Sequence, residues 1–278
     1  MNSKHSLMSL PRGLMYLTTI AFGLMGLVLF VAPAWSAANF SWKISPMVAM
    51  TMGGWYLGSA VMAGLVAYHR RWNLIYASSL YIGMFSVAEA TVLLIHQAKL
   101  KLDALLAWPY IGMLALALLT SLFVLVDWLR QRPALADEGP PKPAWVHVVN
   151  LSFAVFVFFL AGFAFSGHWI GLNGVIFPEP LSLFTLNSFG AFYFSVAFST
   201  LPLLLAQRLA TFTVHVWGGL ALIFLITVAA LVFIESFNFA QHPFQSMYLG
   251  VYLGALVVTV LYLFWFGRIR RTGRAAGE

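Results

Sequence analysis

Few side chains in this chain could do chemistry, and Glu89 is the clearest of them. At helical spacing Ser79, Ser86, Glu89 and His96 fall on one face of an apolar stretch. His96 lies about 10 Å along that helix from Glu89. Because an ionisable group inside a membrane span is costly, this face is a candidate proton or cation site. The interpretation that we favour for Glu89 is a neutral carboxyl group that is hydrogen-bonded within a helix bundle.

Two further polar residues interrupt apolar stretches elsewhere in the chain. His215 is the one histidine clearly inside such a stretch, and Asn187 could hydrogen-bond across helices or line a cavity. The predicted proton or polar site therefore draws on five residues. They are Glu89, Ser86, His96, His215 and Asn187.

Motifs for enzymatic chemistry are missing from the sequence. It has no nucleophile elbow, phosphate-binding loop, paired carboxylates or zinc motif, so we name no catalytic residue and no metal ligand. It also has no cysteine, which excludes iron–sulfur clusters and thiol nucleophiles. Because the histidines lack paired helical spacing, we expect no cofactor, with haem as the lesser alternative. A non-enzymatic role is favoured.

The composition requires an apolar surrounding. Of the 278 residues, 62% are hydrophobic and only 8% are charged, whereas ordinary soluble domains have roughly 25% charged residues. The surface must therefore face lipid, and we expect the lipid bilayer and other membrane proteins as partners. The net charge of +7 sits in short clusters at the ends of apolar stretches, which argues against nucleic acid as a partner.

The apolar residues form eight stretches, each long enough to cross a bilayer as a helix. Alternation typical of a membrane β-barrel is absent, and backbone groups in lipid need partners within their own segment. We therefore predict an all-α integral membrane protein with eight transmembrane helices. The stretches are 13–34, 47–68, 73–96, 104–129, 146–167, 181–206, 210–234 and 245–267.

The chain also repeats itself at a spacing of 137 or 138 residues, which predicts two tandem parallel four-helix repeats. The units are 1–130 and 146–278, and a proline-rich cytoplasmic linker, 131–145, joins them. An even number of helices gives both units the same orientation, so a pseudo-two-fold axis should run along the membrane normal. The matched pairs are Ser45/Ser182, Gly53/Gly190, Tyr56/Tyr193, Ala60/Ala197, Arg71/Arg208, Tyr110/Tyr248, Gly112/Gly250, Arg130/Arg268 and Arg132/Arg270.

The candidate polar residues do not follow this repeat. Glu89 falls opposite Ile226 or Thr227, and His215 falls opposite about Ser78. A shared scaffold with unshared polar residues suggests that the two units diverged in role.

Lys and Arg set the expected orientation, because positive residues stay on the cytoplasmic side. With a cytoplasmic N-terminus, twelve of them lie inside and only Lys43, Lys99 and Lys101 lie outside. We therefore expect a multi-pass protein of the bacterial inner membrane with both termini cytoplasmic. The first stretch also resembles a cleaved signal peptide, but its internal counterpart, 146–167, favours retention. The tryptophans expected at the membrane interface are Trp35, Trp42, Trp72, Trp108, Trp128, Trp145, Trp169 and Trp265.

Small residues predict where helices pack closely. Gly54 and Gly58 form one GxxxG pattern, and Gly250 and Gly254 form another. We interpret both primarily as packing within the chain.

Two functions remain open at this point. The scarcity of polar groups within the spans favours a non-catalytic structural or accessory subunit of a membrane assembly. The alternative is a proton-linked carrier or channel for a small, largely apolar solute, which the repeat, Glu89 and Asn187 support.

Overall fold

A computed structural model of the protein describes residues 6–133, 140–167, 169 and 175–275, with side chains described up to Phe266. Within these ranges the chain is all-helical. The helices are α1 (Ser9–Val31), α2 (Pro33–Ala38), α3 (Pro46–His69), α4 (Trp72–Ile95), α5 (Ala107–Gln131), α6 (Ala144–Ser166), α7 (Leu183–Leu205), α8 (Thr213–Val232) and α9 (Gln245–Ala275).

Eight of these helices are long and apolar enough to cross a membrane, which confirms the predicted all-α class and helix number. Their lengths and composition are those of a polytopic membrane protein. The short helix α2 was not predicted. It exists because Pro33 cannot continue α1 but is well suited to the first turn of a new helix.

The helices pack as two groups that meet along a central seam. In one group α1 packs on α3 and α5, and in the other α6 packs on α7 while α9 packs on α8. Across the seam α3 packs along α8, and α4 packs along α7. As a result α3 is the most buried of the eight long helices and α9 the least.

The chain segments next to Arg70, Arg130 and Arg208 lie together at one end of the bundle, which we call the basic end. Leu7 N donates to the Arg70 carbonyl at 2.8 Å, and Met8 N donates to Asp127 Oδ2 at 3.2 Å. In the second group Lys142 N donates to the Gln207 carbonyl at 2.8 Å. The linker residues 134–139 and the side chains of Arg268 and Arg270 lie outside what the structure describes.

Glycines permit the close approach of α3 and α8 at the seam. A Cβ atom on Gly58 would lie 2.7 Å from Leu222 Cα, and one on Gly54 would lie 3.2 Å from the Leu225 carbonyl carbon. Gly250 and Gly254 differ, because a Cβ atom on either would meet nothing within 4 Å. The first GxxxG pattern thus lies at a helix contact within the chain, while the second faces outward from α9.

We predict that Gly58→Ala lowers the free energy of unfolding by about 1–3 kcal/mol, because the added methyl group must push α8 away. Gly254→Ala is the matched control and should leave stability unchanged or slightly raised, since alanine favours helix more than glycine. Thermal unfolding of both variants in detergent, followed by intrinsic fluorescence, checks this. Equal melting temperatures for the two variants would contradict the close packing at Gly58.

Candidate functional site

Glu89 lies on α4 at the seam, with no solvent exposure. Ser188 of α7 donates its hydroxyl hydrogen to Glu89 Oε2 at 3.2 Å, and Tyr110 of α5 donates to the same oxygen at 3.4 Å. The carboxyl group therefore joins three helices, one of them from the other side of the seam.

A second layer of hydroxyl groups supports this arrangement from α3. Tyr56 Oη donates to Tyr110 Oη at 3.0 Å, so that two tyrosines in series point their hydrogens toward Glu89. Next to them the hydroxyls of Ser59 and Tyr81 form a bond of 2.9 Å. We call Glu89, Ser188, Tyr110 and Tyr56 the carboxyl cluster.

The other carboxyl oxygen, Glu89 Oε1, is buried and has no hydrogen-bond partner among the described residues. A buried polar atom without a partner costs free energy, and the cost is greatest when the group is charged. The two hydroxyl donors on Oε2 offset part of this cost. The arrangement can hold a proton or fix three helices together.

Aromatic rings cover the carboxyl cluster on the side away from the basic end. The segment after α2 folds inward and buries Phe40 and Trp42, which are 1% and 2% exposed. Phe40 lies edge-on to the Tyr110 ring at 5.0 Å, and Trp42 stacks on Phe184 of α7 at 4.1 Å. These three residues, Phe40, Trp42 and Phe184, form an aromatic cap that packs on Tyr110, one of the two donors to Glu89.

His96 and Asn187 meet beside this cap. Asn187 Nδ2 donates to His96 Nε2 at 2.8 Å, and the imidazole stacks on Phe184 at 4.9 Å. Partial burial, together with the nearby charge of Lys99, holds the pKa of His96 below its usual value of 6.5. Both effects favour the neutral ring, whose unprotonated nitrogen can accept the amide hydrogen.

Ser86 and His215 lie apart from the carboxyl cluster. Ser86 donates its hydroxyl hydrogen to the Ile82 carbonyl of its own helix at 2.7 Å. His215, on α8 near the basic end, places Nδ1 3.5 Å from Ser78 Oγ. The five candidate residues therefore occupy four separate places, and among them His96 and Asn187 alone share a hydrogen bond.

The sequence reasoning missed Tyr56 and Tyr110 as partners of Glu89. Both appeared only as markers of the repeat, although a buried tyrosine usually requires a hydrogen-bond partner. That requirement, applied to tyrosines within apolar stretches, could have linked them to the one buried carboxyl group. Trp42 and Trp72, two of the tryptophans expected at the membrane interface, are buried within the protein.

Within the described part of the chain, no three His, Asp or Glu side chains come together where they could hold a metal ion. Comparison with known protein families, with curated proteins and with solved structures finds no match for this chain.

We predict that Glu89→Leu destabilises the protein, because Ser188 and Tyr110 would both lose their acceptor. Each buried donor left unpaired costs about 1–3 kcal/mol. Glu89→Gln keeps a carbonyl oxygen of similar shape and should retain most of the stability. Unfolding of both variants in detergent compares their stabilities. An equal loss of stability in Glu89→Leu and Glu89→Gln would contradict the role of the acceptor oxygen.

A second prediction concerns acid conditions. Since the pKa of His96 is lower in the folded protein than its usual value, the unfolded chain takes up the proton first as the pH falls. Stability should therefore decline below about pH 6.5. His96→Gln removes this contribution, so the difference in melting temperature between wild type and variant should change between about pH 8 and about pH 5. A constant difference over that range would refute the role of His96.

Proposed function

We propose that this chain is a non-catalytic subunit of a membrane assembly, which crosses the bacterial inner membrane eight times and packs against other membrane proteins. The observation that carries the proposal is the sealed position of Glu89. Its side chain is fully buried beside the aromatic cap, and among the described residues it lines neither the cavity of about 170 Å³ nor a small one of about 10 Å³. A transported proton or ion would need a route from Glu89 to water.

We further propose that the two groups of helices arose by duplication of one four-helix unit. Matching local contacts support this. Ser45 Oγ caps α3 by accepting from Val48 N at 3.1 Å, and Ser182 Oγ caps α7 by accepting from Thr185 N at 3.2 Å. The bond from Leu7 to Arg70 likewise has a counterpart from Lys142 to Gln207, of the same length.

A matching tyrosine pair adds to this support. Tyr56 and Tyr110 bond through their hydroxyls at 3.0 Å in the first unit, and Tyr193 and Tyr252 do so at 3.0 Å in the second. Tyr193 is the sequence counterpart of Tyr56. Tyr252, one helical turn after the counterpart of Tyr110, completes the second pair.

Contacts between counterparts support a pseudo-two-fold axis at the seam. Ser78 and His215 are separated by the repeat spacing of 137 residues, and Ser78 Oγ lies 3.5 Å from His215 Nδ1. Trp55 and Phe192 are separated by the same spacing, and their rings stack at 4.5 Å with an angle of 4°. A residue on a two-fold axis meets its own equivalent, as in an isologous dimer interface. A fused homodimer is thus a natural origin for this seam.

The orientation that we propose places the basic end, and with it both termini, in the cytoplasm. The proposed partner surface includes α9, the least buried of the eight long helices. Gly250 and Gly254 lie on its outward side with open space around them. Small residues on a lipid-facing helix allow another helix to approach closely, which is the main source of helix association in a membrane.

A carrier for a largely apolar solute is the second candidate, and one observation favours it. The second unit contains a mostly apolar cavity of about 170 Å³ between α6, α7, α8 and α9. This cavity could receive a small solute, although it is separate from Glu89.

We predict that the full-length tagged chain, extracted from its native membrane with mild detergent, retains another membrane protein at fixed stoichiometry. Replacing Gly250 and Gly254 together by leucine should remove that partner while the chain stays folded, because the added side chains prevent close approach. Gly112→Leu is the matched control, since its surroundings are also open. A chain that purifies alone and moves solute into liposomes would refute the subunit proposal in favour of the carrier.

A further inference from the structure

The cavity in the second unit lies between two helix pairs. On one side are α6 and α7, on the other α8 and α9, and Met62 of α3 and Tyr81 of α4 contribute to its wall. The volume is about 170 Å³. An apolar cavity of about 150 Å³ in another protein accepts benzene, so the space here is large enough for one six-membered ring.

The cavity opens sideways between α6 and α9. Val149 of α6 and Val258 of α9 both line it, yet they are 37% and 41% exposed. Toward the basic end, the rings of Trp145 and Trp265 meet edge-on at 5.1 Å and join the two helices. A molecule dissolved in the bilayer could therefore enter from the side, between the valines.

The corresponding place in the first unit is closed. There α1 packs against α5, and the hydroxyls of Thr18 and Thr120 form a buried bond of 2.8 Å. The matching bonds Leu7–Arg70 and Lys142–Gln207 set the spacing between α1 and α6 at 135 residues. At that spacing Thr18 corresponds to Phe153, and at the spacing of 138 Thr120 corresponds to Val258. Phe153 and Val258 line the cavity instead. The opening thus belongs to the second unit alone.

Polar groups collect in the cavity wall near the basic end. Tyr262 Oη and Asn150 Nδ2 are buried there without a hydrogen-bond partner, and the His215 ring lines the same region. Tyr262 as a whole is only 7% exposed. An unpartnered buried donor is costly, so both groups would gain from a ligand that brings an acceptor oxygen.

The first unit has no such groups at the corresponding positions. At the 135-residue spacing between α1 and α6, Asn150 corresponds to Met15, and at the 138-residue spacing between α5 and α9, Tyr262 corresponds to Val124. Met15 and Val124 are both apolar and buried. A scaffold that needed only packing would keep apolar residues here, as the first unit does. The polar substitutions coincide with the opening, which indicates that the two features serve one ligand.

The side chains that line the cavity restrict the class of ligand that it can bind. Among the described residues no Lys, Arg, Asp or Glu lines the cavity, so a charged headgroup would be left without a counter-charge. Aromatic rings contribute much of the wall, among them Phe153, Phe192, Phe212 and Tyr252. Such rings favour a flat partner by offset or edge-to-face contact.

We propose that the second unit binds a neutral membrane-soluble molecule with a carbonyl-bearing ring and an apolar tail, the chemistry of a quinone. The ring occupies the cavity near Asn150 and Tyr262, and the tail leaves between α6 and α9. Neutral carbonyl oxygens also occur in the ester groups of diacylglycerol, so the experiment has to distinguish a quinone from a diacylglycerol. The inference does not depend on whether the chain is a subunit or a carrier.

The test uses the purified full-length protein. It is incubated in detergent with a short-tailed benzoquinone or with dioleoylglycerol, then passed through size-exclusion chromatography, and the retained molecule is extracted and quantified. We expect about one quinone per chain at saturation. Gly219→Leu should abolish retention, because Gly219 lines the cavity and an added Cβ meets nothing within 4 Å. Gly162→Leu, on α6 and equally open, is the matched control and should retain the quinone.

A second variant keeps the test valid if Gly219→Leu fails to fold. Asn150→Leu combined with Tyr262→Phe removes the two donors with little change of shape, and it should weaken quinone binding by about tenfold or more. Retention of dioleoylglycerol but not of quinone would contradict the proposal that the ligand carries a ring. Retention of neither, or equal retention by wild type and both cavity variants, would overturn the site.

Discussion

The packed seam between the two helix groups is the contact on which the rest of the structure depends. In a bilayer, apolar surface gains nothing from leaving lipid for protein, so helices are held by close packing and by hydrogen bonds. Gly54 and Gly58 let α3 approach α8, and the stack of Trp55 on Phe192 fills the space beside them. The bond from Ser188 to Glu89 then ties α7 to α4.

The same seam explains why Glu89 is a structural group in our account. A buried carboxyl group that accepts from two helices costs less than an isolated one, and it favours one register of those helices over others. The two units then differ in their outer parts. The first closes between α1 and α5 through Thr18 and Thr120, while the second stays open between α6 and α9. On the proposed duplication, divergence kept the packing at the seam and left a gap between α6 and α9, where the corresponding pair α1 and α5 is closed.

Much of the fold follows from the sequence because spans in lipid must be long, apolar and helical. The carboxyl cluster did not follow, since the donors to Glu89 lie on other helices, Tyr110 at a distance of 21 residues along the chain and Ser188 at 99. Nothing local to Glu89 indicates that Tyr110 and Ser188 donate to it. The burial of Trp42 did not follow either, because its position near a helix end does not reveal that the segment folds inward. The cavity is open because α6 and α9 lack a contact like the bond between Thr18 and Thr120. A sequence pattern does not show that such a contact is missing.

The central claim is that water does not reach Glu89. Since the chain has no cysteine, a single cysteine in place of Ser188 reports on this directly. In native membranes a membrane-impermeant maleimide should leave Ser188→Cys unmodified on a timescale in which Lys101→Cys, on an exposed loop, reacts completely. With the reagent on the cytoplasmic side Ser188→Cys should also stay unmodified, and Gln207→Cys, exposed at the basic end, is the reactive control there. Modification of Ser188→Cys in folded protein, at a rate near that of Lys101→Cys, would contradict the sealed seam.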